Sequence, residues 1–427
     1  MKKFFYALRA VLLLALALIL SLTLSSCSAG NADADKTDAV SPTPDAAISP
    51  SPAGDAADES EPDDATHVIA TPEATEAIAQ EPEETQNLAP YDGIVEHLFF
   101  HTPIVYTEQA FDGDAQEEGF DQYMVTVSEY KKILQNLYDK GYILVNMNDV
   151  WNEYTDENGK PYMKRETLMI PEGKKPLILS YDDISYYEYM MDNGFPYRLI
   201  IGRDGELWSY GKDPQGNAVI SQDVDCVTIL DKFIKEHPDF SLGGAKGLIC
   251  LTGYNGILGY RTQTDSKDSS KEFEERRQNE IARVRPIVKR LKETGWYFAS
   301  HSWGHINLNT ASFTKMKNDA DKWMDEVGSL IGPTKLMVYP FGSRLDGDDV
   351  QKTGDAFKYY HSLGFRVFAS VGIESFSRVK KDISAVICDR MHADGLTLRN
   401  ERERYMKFYD AAEVWDDARP EKYGRKW

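Results

Sequence analysis

The sequence predicts an α/β fold: a distorted parallel (β/α) barrel of about seven strands with a hairpin-containing insertion, preceded by an unfolded linker. Three observations predict it. Short apolar runs recur from about residue 91 to the end, amphipathic stretches separate several of them, and chemistry-bearing polar residues stand where the runs stop. Alternating β and α units give a mostly parallel sheet covered on both faces. About seven strands in roughly 330 residues is the scale of a barrel that carries insertions.

In chain order, residues 1–27 form an address signal. Lys2, Lys3 and Arg9 precede a run from Ala10 to Leu20 made only of Ala, Val, Leu and Ile, and small residues follow. That is the layout of a secretory signal, too short for a first reading as a permanent membrane span. Its exit, Leu24-Ser25-Ser26-Cys27, resembles the bacterial lipoprotein signal, in which the Cys is acylated; an ordinary cleaved signal is the alternative. Acylation of Cys27 places the protein extracytoplasmically, lipid-anchored to the outer face of a bacterial membrane without spanning it. Residues 28–90 hold fifteen Asp/Glu against one Lys, with Ser-Pro-Thr-Pro and Ser-Pro-Ser-Pro tracts. With almost nothing apolar to bury, they read as an extended, disordered stalk.

Residues 91–427 form the folded domain. Its strand candidates are Ile94–Phe100, Pro176–Tyr181, Lys246–Thr252, Gly295–Ser300, Lys335–Phe341, Phe365–Val371 and Ser384–Asp389. Helical stripes are carried by Tyr130, Ile133, Leu134, Leu137 and Tyr138; by Ile281, Val284, Val288 and Leu291; and by Met316, Ala320, Trp323, Val327 and Leu330. Asp-Gly and Gly-Asn turn signals within Gly202–Ser221 predict the added hairpin. Cys226, Cys250 and Cys388 form no CxxC and read as small core residues.

The chain carries a net charge of −21, of which 91–427 contributes −10. An acidic folded part argues against nucleic acid or an anionic membrane surface as the main partner and leaves a neutral polymer open. Oligomeric state is not readable from this composition.

The chemistry lies at the strand exits, where a parallel barrel gathers its functional side chains. These exits hold Asp182-Asp183, His301-Ser302-Trp303-Gly304-His305, Tyr339-Pro340-Phe341-Gly342 and Arg390-Met391-His392. Three of the chain's eight histidines are among them. An Asp-Asp pair alone is commonest as a helix cap, and two histidines four apart can be a plain polar face. On one helical turn, however, such a pair presents two imidazoles together, and one carboxylate completes a two-His, one-carboxylate metal set. The second carboxylate is then free to act as a base.

These residues carry a resemblance. Leu179-Ser180-Tyr181-Asp182-Asp183 looks like the first motif of the polysaccharide deacetylases (carbohydrate esterase family four), His301 to His305 fits the second, and Val338 to Gly342 resembles the third. The order of segments is similar to the poly-N-acetylglucosamine deacetylase branch. The resemblance implies that Asp183, His301 and His305 hold a divalent metal, commonly zinc, and that Asp182 is the base. It further implies that the backbone near Phe341 stabilises the oxyanion and that His392 is the acid that protonates the leaving amine. Trp303 and Phe341 are expected to border the cleft, and His101, at the exit of the earliest strand, is a second candidate to face it.

Two departures bear on these roles. Val338 stands where the family often has an Arg, which removes the usual guanidinium that orients the base, and Arg390 stands at a Leu position of the last motif. The 117 residues between Asp183 and His301 are also long for the family. The expected function is metal-dependent removal of N-acetyl groups from a cell-surface or cell-wall polysaccharide, foremost one containing N-acetylglucosamine. The alternatives are a catalytically degenerate glycan-binding lipoprotein and an O-acetyl esterase using the same site.

Overall fold

The structure, a computed structural model, describes residues 87–427 except 266, 346–349 and 382–383; the side chains of 350–353 are also outside the description. The signal, Cys27 and residues 28–86 of the expected linker lie outside the described residues. Among the described residues no helix is long and apolar enough to cross a membrane.

Seven parallel strands close into a barrel among the described residues: β1 (Glu96–Phe100), β2 (Lys175–Asp182), β3 (Leu248–Leu251), β4 (Tyr297–Ser300), β5 (Leu336–Val338), β6 (Val367–Val371) and β7 (Ala385–His392). Around the ring the order is β3, β4, β5, β6, β7, β1, β2, and β2 returns to β3 with Leu248 opposite Ser180 and Cys250 opposite Asp182. Each expected strand is present. The expected insertion is a three-stranded antiparallel sheet of Arg198–Ile201, Leu207–Lys212 and Ala218–Ser221.

Side-chain alternation divides the core in two. Leu177, Leu179, Tyr181, Ile249, Leu251, Phe298, Met337 and Phe368 point outward into a shell with the helices. That shell receives the predicted stripes, now seen as α1 (Val127–Asp139), α3 (Lys271–Glu293) and α4 (Phe313–Trp323), together with α2 (Cys226–Glu236). α1 starts at a capping box in which the Thr126 side chain accepts from the Glu129 amide and Glu129 answers to the Thr126 amide. The opposite set, Ile178, Leu248, Cys250, Ala299, Val338, Ala369, Val386 and Cys388, fills the barrel.

The amino-terminal mouth is plugged by an antiparallel hairpin, Trp151–Thr155 with Pro161–Arg165, whose Trp151 and Met163 join the interior cluster. Beside it Leu88–Tyr91 pairs with Leu168–Pro171. Cys226, Cys250 and Cys388 are buried, free thiols.

Candidate metal centre

The period-2 alternation that buries Ile178, Ala299 and Cys388 also aims Ser180 and Asp182, His301, and Arg390 and His392 toward the barrel's upper end. Asp183, His301 and His305 each offer a ligand atom within 4.8 Å of the others. His305 Nε2 lies 3.7 Å from Asp183 Oδ2, and His301 Nε2 lies 4.0 Å from Asp182 Oδ2. The imidazole rings of His301 and His305 are 5.0 Å apart between centroids.

The two histidines do not meet on a helical turn, as their spacing predicted. Residues 301–305 form an irregular loop in which Ser302 (φ 57°) and His305 (φ 48°) are left-handed. Asp183 (φ 60°) and Phe341 (φ 59°) share that region. Non-glycine residues there are strained, and such strain gathers at functional sites. The loop is held by Asp319 of α4, whose two oxygens accept the amides of Trp303 (2.8 Å) and Gly304 (2.7 Å). Burial raises the Asp319 pKa, while these amides pull it down. A lone aspartate on a helical stripe gave no signal of this role.

His301 Nδ1 lies 3.0 Å from the Val338 carbonyl, which can only accept, so Nδ1 carries the proton and Nε2 presents its lone pair. Burial lowers the His301 pKa to about 4 against the pull of Asp182 and Asp183. A neutral imidazole with an aimed lone pair beside a carboxylate and a second imidazole is the donor set a borderline-soft divalent cation takes. The residues present fit the metal that the motifs implied.

Asp182 is buried, which would raise its pKa, yet the Arg390 guanidinium, with His301, holds it well below the usual carboxylate range. Arg390 donates from Nη1 to Oδ1 (2.7 Å) and from Nη2 to Oδ2 (2.9 Å), a bidentate pair. This corrects the expectation that a guanidinium orienting Asp182 is missing. It comes from β7, at the position read as a departure in the last motif, instead of from the third motif. Strand parity from Val386 and Cys388 was the available signal: an arginine aimed into a barrel needs a carboxylate. Arg390 Nη1 also donates to Ser180 Oγ (3.1 Å), which His97 Nε2 contacts at 2.9 Å. Burial, then the Arg390 charge, keeps His97 neutral.

The Phe99 ring neighbours both Arg390 and His392, with Arg390 Cζ 4.2 Å from its centroid and the His392 ring stacked at 5.9 Å. Its Nδ1 donates to Asp394 Oδ2 at 2.6 Å. Asp394 is buried, which alone would raise its pKa, but the His392 charge and the hydrogen bonds it accepts keep it lowered.

A narrow cavity of about 30 Å³, room for one or two waters, is lined by His101, Met124, Asp183, Tyr187, Tyr254 and His305, among others. His101 Nδ1 donates to the Tyr123 carbonyl (3.0 Å). Phe341 packs edge-on against His305 at 4.5 Å between centroids. Trp303 is outside this lining. Its indole donates to Glu326 (2.7 Å), lies under Lys322 Nζ (3.6 Å), and occupies the space a Cβ on Gly253 would need.

Residues 270–367 match the polysaccharide deacetylase family. That segment contains His301, His305, Asp319 and Phe341; Asp182, Asp183 and Arg390 lie outside it. No curated protein matches the chain. Among solved structures, the Streptococcus pyogenes deacetylase PplD in complex with acetate aligns at 12% identity and TM-score 0.37, covering 72% of this chain and 94% of that one. The Bacillus anthracis protein BA0330, assigned provisionally to the polysaccharide deacetylases, aligns at 13% identity and TM-score 0.40, covering 76% of this chain and 69% of that one.

Proposed function

We propose that the protein is a metal-dependent hydrolase that removes N-acetyl groups from a cell-surface or cell-wall polysaccharide, foremost one containing N-acetylglucosamine. We place it at the outer face of a bacterial membrane, held by lipid on Cys27. One observation carries the reading: Asp183, His301 and His305, drawn from separate strand exits, share one small volume beside a buried, arginine-clamped Asp182. The family match over 270–367 supports the same chemistry.

Asp183, His301 and His305 hold the cation, zinc before others. When bound, it supplies Lewis acidity that polarises an acyl carbonyl and acidifies water. Asp182, kept anionic and fixed by both guanidinium arms, accepts the proton of the attacking water. The backbone at Phe341 donates to the oxyanion. His392, its Nδ1–H committed to Asp394, acts as an imidazolium whose Nε2–H protonates the leaving amine. The small cavity lined by Asp183, His305, Tyr187 and Met124 is too narrow for a sugar ring, which stays outside it.

The binding-only alternative is motivated by the missing guanidinium and the altered last motif, and Arg390, the altered residue itself, supplies a guanidinium to Asp182. The test is metal content of the purified protein together with acetate release from acetylated chitooligosaccharide. Bound metal, and turnover that chelation abolishes, support the proposal. Glycan binding that survives chelation, with no acetate from any acetylated glycan, defeats it. Faster release from O-acetylated than from N-acetylated substrate assigns the esterase.

A further inference from the structure

Two oxygens of Asp183 face different neighbours. Oδ2 is the one toward His305, at 3.7 Å. Oδ1 is taken by the Tyr187 hydroxyl at 2.5 Å. The same hydroxyl lies 2.7 Å from Thr252 Oγ1, and Thr252 Oγ1 lies 3.0 Å from Ser185 Oγ. The direction of this chain follows from its end. A carboxylate oxygen only accepts, so the phenol proton goes to Asp183, and the phenol oxygen must then accept from Thr252. Thr252, having spent its own proton, accepts from Ser185. Three hydroxyls in series therefore point their dipoles at one carboxylate oxygen, each polarising the next.

The setting makes the chain a fixed part. Tyr187 and Thr252 are buried, and the Tyr187 ring is stacked on Tyr254 at 5.0 Å between centroids. Asp183 itself sits on a left-handed turn closed by the Ser185 amide donating to the Asp183 carbonyl at 2.6 Å. Backbone and side chain of the aspartate are thus both pinned, the first by Ser185 and the second by Tyr187.

Resting on the metal reading above, we propose that Tyr187, backed by Thr252, is a positioning residue that makes Asp183 a one-oxygen ligand. With one lone pair of Oδ1 engaged by the phenol, Oδ2 is the oxygen left facing a cation shared with His301 and His305. A single carboxylate oxygen and two imidazoles suit a small ion of low coordination number. They deny a larger oxygen-seeking ion such as Ca²⁺ the two-oxygen grip it takes from carboxylates.

The test uses the full chain and the ions alone. Zn²⁺ affinity is measured by competition with a chromophoric chelator, and the visible absorption of the Co²⁺-loaded protein reports coordination. Tyr187→Phe keeps the ring and its stack while removing the donor. It is expected to raise the Zn²⁺ Kd by about 10–100-fold, the usual cost of losing a partner that orients a metal ligand, and to change the intensity of the Co²⁺ bands. The metal-free melting temperature is recorded for each variant, so that affinities are compared on folded protein. Thr252→Val, which leaves the phenol in place, should give a smaller rise in the same direction and serves if Tyr187→Phe does not fold. A wild-type chain that takes up neither ion overturns the metal reading and this inference with it. A wild-type chain that binds Zn²⁺, with both variants matching it in Kd and Co²⁺ spectrum, overturns the inference alone.

Discussion

The two mouths of the barrel are built on the same seven strands and filled by the same inward-facing parity, yet they use opposite chemistry. At the amino-terminal mouth, Leu248, Leu336, Val367 and Val386 meet Trp151 and Met163 from the plugging hairpin, an apolar closure. At the carboxyl-terminal mouth, the next inward positions are Ser180, Asp182, His301 and Arg390, all buried. Left-handed non-glycine residues follow the same division. Asp183, Ser302, His305 and Phe341 stand at the upper mouth, and of the described residues at the strand starts only Ser384 does. One end of the interior thus stabilises the fold, while the other keeps buried charge and strained backbone that the rest of the barrel must support.

The sharpest way to break this division is at Asp182. Asp182→Asn removes the proton acceptor and nothing from the lower core, so acetate release should fall by about 10²–10⁴-fold, the scale of general acid–base catalysis. Metal content should persist, measured alongside turnover. A variant that keeps wild-type turnover would detach the buried pair from catalysis. Next in size is Arg390→Ala. It leaves the Asp182 carboxylate buried without its partner, a loss of about 3–5 kcal/mol in unfolding free energy, together with a fall in kcat. Arg390→Lys returns the charge without the two-armed geometry and should recover only part of either. Urea unfolding and initial rates on the same preparations check both.

Met163→Ala tests the opposite mouth. Truncating a buried methionine there should cost about 2–5 kcal/mol of stability while leaving kcat at 25 °C unchanged. A loss of turnover at full folding would show that the plug and the upper mouth are coupled.

The same comparison explains what could be read in advance. The lower mouth and the outer shell follow from periodicity: each expected strand is present because Val, Ile, Leu and Phe at period 2 have one way to be buried on both faces of a parallel sheet. Asp182, Asp183, His301 and His305 were legible as motifs, but how the two histidines meet was not. A helical turn was expected, whereas the loop depends on φ > 0 at Ser302 and His305 and on Asp319, a distant residue with no local signature. Arg390 was visible and misread, because its meaning depends on a partner more than 200 residues away. Tyr187 resembled any core tyrosine until its hydroxyl was placed on Asp183. Local pattern shows which side chains turn inward; which buried polar groups satisfy one another is settled by tertiary contacts.

The smallest expected effect sets a buried group of the upper mouth against one in the outer shell, in chelator-treated protein. His301 faces Asp182, Asp183, His305 and Arg390, and its pKa, ordinarily 6.5, is lowered by burial to about 4. Between those values the unfolded chain binds a proton that the folded one refuses, so stability falls as pH drops from 6.5 toward 4. Asp225 caps α2, accepts the Tyr186 hydroxyl at 2.7 Å, and is raised by burial from 3.8 to about 6, with Asp231 adding to the rise. There the folded state binds the extra proton, so stability falls as pH climbs from 3.8 to 6. Each shift corresponds to about 3 kcal/mol, with opposite sign in nearly the same window, so the two partly offset one another, while His97, buried and lowered well below 6.5, adds to the His301 arm and leaves the wild-type melting temperature falling toward low pH. Asp225→Asn removes one arm and should expose a melting temperature that declines steadily from pH 6.5 to 4. His301→Gln removes part of the opposite arm and should make the decline toward low pH shallower than in the wild type. Differential scanning calorimetry of the three proteins at matched ionic strength distinguishes these outcomes, and parallel slopes in all three would mean that neither group carries the shift its burial imposes.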